Sequence, residues 1–386
     1  MNPKNIYKKK IDSLLDWSKK GIPNEDHHFL NLASEKKIIV YGYGAGYIPL
    51  KNSVLSRFQL APKFIIDKKF NLLKEKKTSI FLGTNKISEI KNKNKFIVII
   101  SIGSQVVAEI IKEELRKKEF YSVIWAPEIF EYNIHHYGDE YDTNPKLIHQ
   151  SKKEIYSAFN LLQDIKSKEI FLSILEIYAT HKPKNVQNDP IKNQYFDLKL
   201  FNKRDYLHYI NCGAYTGDSI KNLLLTVGKI NTLICVEPDR ENFKILNAYC
   251  KKNTSKIAKN IYLYPLALAE KNSQVTFSSS LGLCSEVDTQ NKSKDLIQTA
   301  KLDDLIIYNH SSFLSMDLEG YEQNAISGMK KIIKDGKTNL AISIYHRIPD
   351  LWQILLKIHS LNKKYIFFIR NYTGFTYETV LYCKLR

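Results

Sequence analysis

A chain of 386 residues, 44% hydrophobic and 25% charged, is long enough for two globular cores, and it holds no run of eighteen apolar residues that would cross a membrane. The basic N-terminus lacks the apolar stretch of a secretory leader. The five cysteines (Cys212, Cys235, Cys250, Cys284 and Cys383) include no CxxC pair, which points to reduced thiols in a cytoplasm rather than to a disulfide frame or a zinc site. The net charge of +18 sits on lysine doublets scattered along the chain, with no arginine-rich stripe; this argues against a nucleic-acid partner and suits a phosphate-bearing small substrate.

Residues 1–34 read as an N-terminal helical segment. Within it 5–19 is amphipathic, with Ile6, Ile11, Leu14, Leu15 and Trp17 offering an apolar side. Residues 35–127 alternate short apolar runs (37–40, 64–66, 96–101 and 121–125) with polar and helical stretches, the pattern of a small Rossmann-like domain. Its turn YGYGAG at 41–46 and Asp67 about twenty residues on have the form of a dinucleotide fingerprint. Tyr47 or Pro49 stands where the third glycine belongs, which hinders close helix–strand packing and argues against NAD. This half resembles the Rossmann-like modules attached to sugar-modifying enzymes, where such a domain would serve as a scaffold, an oligomerisation unit or a dock for a nucleotide sugar.

Residues 128–200 read as a linker between the domains. His135 and His136 are adjacent, so their side chains diverge and a solvated loop is expected rather than a metal site. Residues 151–180 are helical, with Ile155, Phe159, Leu162, Ile165, Ile170, Phe171, Ile174 and Leu175 facing inward. From 201 to 386 strands and helices alternate again. A strand at 207–211 leads into the small-residue turn CGAYTG at 212–217, with Asp218 placed to cap the following helix. A second strand, 233–236, ends at Glu237, where an acid can accept both hydroxyls of a ribose, and Asp239 caps the next helix. Further strands fall at 261–265, 274–277, 313–317 and 340–344, a helix is expected over 321–333 and stopped by Gly336, and 365–369 pairs with 379–383 as a terminal hairpin.

Five segments arrive in one order: YINCGAYTGD at 209–218, VEPD at 236–239, PLALA at 265–269, SMDLEG at 315–320, and ISIYH at 342–346 with DLW at 350–352. Over residues 193–386 this resembles the FkbM-type methyltransferases. The resemblance implies an α/β fold of the class I methyltransferase kind, a mostly parallel seven-stranded sheet, preceded here by the smaller Rossmann-like α/β domain. It implies S-adenosyl-L-methionine as cofactor and a hydroxyl group, often of a sugar, as acceptor. On the resemblance, Asn211, Gly213, Ala214, Tyr215, Thr216 and Asp218 belong to the turn that cradles the methionine part. Glu237 with Pro238 holds the ribose, Leu266 and Ala267 lie by the adenine, and Asp317 is a further cofactor-binding residue. Asparagine at 211 departs from the family's aspartate and brings no charge to the sulfonium. Tyr321 departs from the small residue usual after the glycine.

Methyl transfer from a sulfonium needs alignment and a base. His346, neutral near pH 7 and placed at the fifth strand's end, is one candidate; Asp317 and Glu319 are others, either as base or as ligands of Mg²⁺ or Mn²⁺ that lowers the hydroxyl pKa. Ser280, Tyr321, Tyr345 and Arg347 offer hydroxyls, aromatic faces and a cation to a sugar or nucleotide-sugar substrate of the kind used in surface polysaccharide biosynthesis. Two other classes stand beside this one. A methyltransferase for RNA or protein would lack the usual N/D-P-P-Y/F signature, and a non-catalytic cofactor-fold protein has Asn211 as its hint. A homo-oligomer is compatible with all three.

Overall fold

The computed structural model describes residues 3–19, 28–44, 46–71, 80–129, 132, 146–180, 182–278, 286–287, 295–306 and 310–386. The chain divides into two compact units: residues 1–152, 172–187 and 373–377, and residues 153–171, 188–372 and 378–386.

The first unit is built on a five-stranded parallel sheet of β1 (Lys37–Tyr41), β2 (Pro62–Ile66), β3 (Phe81–Leu82), β4 (Phe96–Ile100) and β5 (Val123–Trp125), in the order β3-β2-β1-β4-β5. The unbroken apolar run FIVII of β4 is buried at every position, as a strand covered on both faces must be. The helix Gln105–Lys117 starts at Ser104, whose hydroxyl accepts from the Val107 N–H. After β1 the chain forms only a single turn of helix, Tyr47–Leu50, running into a wide π-type turn, Lys51–Leu55. Asp67 accepts hydrogen bonds from the Tyr43 and Lys69 N–H groups, so both carboxylate oxygens fasten the turns around it. The N-terminal helix Pro3–Lys19 buries Ile11, Leu14 and Leu15, but Ile6 and Trp17 are exposed: at three to four residues per turn they fall off the stripe that the other three define.

The second unit carries β6 (His208–Cys212), β7 (Ile230–Val236), β8 (Ala258–Tyr264), β13 (Ser312–Met316), β14 (Thr338–Ser343), β15 (Tyr365–Asn371) and β16 (Thr379–Leu385) in one sheet, ordered β15-β16-β14-β13-β6-β7-β8. All pairings are parallel except those of β16 with β14 and β15. A smaller sheet between β8 and β13 in sequence has the order β11-β10-β12-β9, from β9 (Ala267–Leu268), β10 (Ser273–Ser278), β11 (Glu286–Val287) and β12 (Asp295–Ala300). The expected seven-stranded, mostly parallel architecture is therefore present. Its strand order reverses between β6 and β13, and ligands of open α/β sheets bind beyond the carboxyl ends of the strands at such a reversal. Tyr206, Tyr209, Phe196, Phe201, Phe313 and Tyr382 pack beneath that point as a buried aromatic cluster.

Local departures from the sequence reading have local causes. The helix expected over 321–333 is two short helices, Glu322–Ser327 and Lys330–Asp335. Gly328 separates them, and its backbone lies so close to the Ala269 carbonyl that a Cβ there would meet the oxygen at 2.0 Å. Gly336 ends the second helix in a left-handed conformation, as expected. Asp239 caps its helix, accepting from the Glu241 and Asn242 N–H groups. Asp218 does not cap: Gly217 holds that position and Asp218 is the first helical residue. The stretch 151–180 contains two long helices, Lys152–Leu161 and Ile165–Thr180, and the division between the two units falls within the second. Ile165, expected to face inward, is exposed at that helix's first turn. The neighbouring Asp164 carboxylate accepts from the Ser167 N–H there.

Arg370 on β15 joins this helix start to the sheet. Its guanidinium donates to Asp164 at 2.7 Å and to Ser167 at 3.1 Å, and lies 3.5 Å from Asp197, while the side chain is 8% exposed. Removing one partner of a buried ion pair leaves the others uncompensated. Arg370→Ala is expected to lower the unfolding free energy in urea by about 3–5 kcal/mol; a loss below about 1 kcal/mol, the value of a surface pair, would show the cluster to be dispensable.

Candidate active site

The turn after β6 is held from three directions. The Asn211 side chain donates to the Ser219 hydroxyl at 2.7 Å and accepts from the Ser315 hydroxyl at 3.1 Å, and the Tyr209 hydroxyl lies 2.5 Å from that of Ser315. Both ends of the Asn211 amide are thus spent on tying the turn and its helix, Asp218–Thr226, to β13. The Gly213 and Ala214 N–H groups both donate to the Val236 carbonyl at the end of β7. Gly213 adopts φ +82° with its Cα against the Asp317 carbonyl, and a Cβ there would lie 1.8 Å from the oxygen. Only glycine permits both that conformation and that approach.

Glu237 is 5% exposed at the end of β7. One carboxylate oxygen accepts from the Tyr215 N–H at 2.7 Å, the other from the Asp239 N–H at 3.0 Å. Burial pushes its carboxyl up to about 7, against the pull of those two N–H groups. Thr216 and Pro238 are half-buried beside the same strand ends, and Asp218 is exposed. Leu266 and Ala267 follow β8, which neighbours β7, so they lie beyond the same edge of the sheet.

A second group of side chains gathers past β13 and β14. The His346 Nε2 lies 3.4 Å from Asp317 Oδ1 and 3.4 Å from Glu319 Oε2, and its Nδ1 lies 3.0 Å from Glu322 Oε1. The two Nε2 contacts are ion-pair distances without an aligned hydrogen bond, whereas Glu322 stands within hydrogen-bonding distance of Nδ1. One atom from each of Asp317, Glu319 and His346 can be chosen so that all three lie within 4.8 Å of one another. Asp317 also accepts from the Tyr195 hydroxyl at 2.8 Å, and the Tyr345 hydroxyl stands 3.4 Å from the same oxygen. Tyr345 leans its ring on that of His346, with centroids 4.1 Å apart.

Electrostatics here departs from the expectation of a neutral histidine. Burial alone would lower the His346 pKa, but Glu322 and Glu319 outweigh it and hold it well above the ordinary value. Burial raises the Asp317 carboxyl to about 8, with Glu378, Glu319 and Glu322 adding to the rise and His346 opposing it. Burial also acts to raise Glu322, but His346 and the Leu318 N–H outweigh it and hold that carboxyl low.

Asp317, Glu319, His346 and Tyr345, all singled out in the sequence, are brought together. Tyr321 is half-buried and immediately precedes the helix Glu322–Ser327, and Arg347 is half-buried one residue past His346. Ser280, like His135 and His136, lies outside the described residues. Three participants were not predicted. Tyr195 reaches Asp317 across 122 positions of sequence, Glu378 accepts from Gln194 across 184, and Glu322 carries no motif of its own. No signal in the sequence marks the first two, because only the folding of the chain makes them neighbours.

The family model described as Methyltransferase FkbM domain matches residues 211–373. The crystal structure of Methyltransferase FkbM from Methylobacillus flagellatus KT is similar over 99% of this chain and 99% of that one, with a TM-score of 0.66 and 20% sequence identity. A putative rRNA-methylase from Clostridium thermocellum aligns with 52% of this chain and 96% of its own, at TM-score 0.33 and 11% identity. A SAM dependent methyltransferase from Aquifex aeolicus aligns with 52% of this chain and 95% of its own, at 0.29 and 13%. A search of curated proteins finds no match. No helix among the described residues is long and apolar enough to cross a membrane.

Gly213→Ala is expected to destabilise the protein by about 2 kcal/mol or more, since an alanine in the left-handed region is strained and its methyl collides with backbone that cannot rotate away. Urea unfolding of the variant measures this; an unchanged midpoint would show that the turn and the Asp317 segment separate freely.

Proposed function

Residues 211–373 form an FkbM-type methyltransferase domain, and from that premise we propose that the protein transfers the methyl group of S-adenosyl-L-methionine to a hydroxyl of a sugar, nucleotide-linked or glycan-bound. The observation that carries the cofactor part is the state of Glu237. An ionised carboxylate has about four lone-pair sites. At Glu237 backbone N–H groups occupy two and the Asn242 side chain also bonds the carboxylate, which leaves at least one for a ribose hydroxyl at the carboxyl end of β7. The turn 213–216, Leu266 and Ala267 border the same strand ends and suit the methionine and adenine parts.

The cofactor, when bound, supplies an electrophilic methyl group on a sulfonium. The remaining work falls to this chain: to align the acceptor oxygen and to take its proton. With the cofactor bound, the residues beyond β13 and β14 would hold the acceptor hydroxyl in line with the methyl group and receive its proton. Since the carboxylates around His346 hold its pKa up and burial raises the Asp317 carboxyl to about 8, Glu319 is the proton acceptor, with Asp317 beside it oriented by the Tyr195 and Tyr345 hydroxyls. Carboxylates and phenols together suit a polyol, and the lysine excess favours an acceptor carrying phosphate.

Two outcomes follow. Glu237→Ala is expected to weaken S-adenosyl-L-methionine binding by about tenfold or more by calorimetry, the scale of a lost charged hydrogen bond; unchanged affinity would remove Glu237 from the cofactor site. Because ribose hydroxyls donate to the charged carboxylate, and that carboxylate holds its proton up to about pH 7, wild-type affinity should fall as the pH is lowered from above 7 to below it. For the acceptor, purified protein incubated with a panel of nucleotide sugars should yield a product heavier by one CH₂ unit. Methylation of RNA or of a protein, with no sugar accepted, would overturn the sugar reading.

A further inference from the structure

We infer that Asp317, Glu319 and the Nε2 of His346 form a binding site for one divalent transition-metal cation of the Mn²⁺ or Zn²⁺ kind, with Glu322 fixing the imidazole from behind. The first ground is a buried ring whose outer nitrogen is aimed at two acids without closing on either. The His346 side chain is 9% exposed, and its Nε2 has no aligned hydrogen-bond partner. Charge-assisted hydrogen bonds between nitrogen and carboxylate close to about 2.7–2.9 Å, whereas Nε2 stands 3.4 Å from each of its two carboxylate oxygens. That spacing is what a shared cation produces: two ligand atoms on bonds of about 2.1 Å, subtending a tetrahedral angle, lie about 3.4 Å apart.

The second ground is what stands behind the ring. Nδ1 faces Glu322 Oε1 at 3.0 Å, and Glu322 is 0% exposed. The same oxygen accepts from the Leu318 N–H at 2.8 Å. Leu318 sits between Asp317 and Glu319, so one buried carboxylate steadies both the imidazole and the loop bearing the two acids. A carboxylate behind a histidine, turning the far nitrogen's lone pair toward a metal, is the usual outer support of a metal-ligating imidazole.

The third ground is charge. Asp317, Glu319 and Glu322 surround one imidazole, and Glu378 acts on it as well. Even a fully charged ring leaves this partly buried group negative, and a divalent cation offsets the surplus. One imidazole with two carboxylates favours a transition metal over the all-oxygen shells preferred by Ca²⁺ and Mg²⁺.

The site goes beyond the methyl-transfer reading, and its test does not depend on that reading. The full-length protein, stripped with EDTA and exchanged into metal-free buffer, is titrated with MnCl₂ while the electron paramagnetic resonance signal of free Mn²⁺ is followed. One Mn²⁺ per chain is expected. Binding should weaken tenfold or more in Glu319→Gln, a partly exposed position whose substitution leaves the core intact, and in His346→Gln. Glu322→Gln should keep the stoichiometry and lose about tenfold in affinity, the scale of a missing outer partner. Absence of stoichiometric binding at millimolar Mn²⁺, or wild-type affinity in Glu319→Gln, would overturn the site. Calorimetry with S-adenosyl-L-methionine on the same samples separates the two ideas: intact cofactor binding beside a failed Mn²⁺ titration overturns the cation site alone.

Discussion

The Cα of Gly213 lies directly on the Asp317 carbonyl, with no room for a methyl group between them. Everything at the carboxyl ends of the sheet depends on that contact. The Asp317 N–H donates to the Cys212 carbonyl, and Gly213 and Ala214 donate to Val236, so the ends of β13, β6 and β7 are joined by main-chain bonds. Side chains reinforce the join from below through Asn211, Ser315 and Tyr209. The turn that would hold a cofactor and the acids that would meet an acceptor are therefore one rigid piece. Such rigidity is what in-line transfer requires, because misalignment by an ångström costs most of the rate.

Two acids in this piece, Glu237 buried and Asp317 partly exposed, are stabilised by different means. Glu237 relies on two backbone N–H groups, which cannot titrate and do not move. Asp317 relies on two tyrosine hydroxyls and an imidazole that titrates itself, set among three more carboxylates. The first arrangement makes a fixed acceptor. The second is electrostatically tense, and tension of this kind concentrates where a site handles protons or cations. Gathering so many acids near one ring costs stability, and aromatic packing beneath the strands, led by the Tyr206–Phe313 contact at 4.3 Å, supplies part of the offset.

Much was legible in the sequence alone. Apolar runs marked the strands of the large sheet to within a few residues, most directly the central ones, since a strand covered on both faces has to be apolar, whereas the edge strand β8 is largely exposed. Small residues at 212–217, Glu237 after one strand and Asp317 with Glu319 after another marked the strand ends, because these chemistries are local: a turn, a cap and an acid are each specified within a few positions. The resemblance to the FkbM-type methyltransferases rested on those segments, and the family match covers the same part of the chain. What only the tertiary structure decided was anything requiring two distant stretches. Tyr195 joins the site across 122 positions, and Glu378 is held by Gln194 across 184. The expected helix over 321–333 breaks because Gly328 must fit against Ala269. The His346 pKa is raised by the carboxylates packed around it, a property of its neighbours rather than of its type. Periodicity and turn chemistry act along the chain and can be read there; desolvation and charge act through space, and they take their values only once the chain has folded.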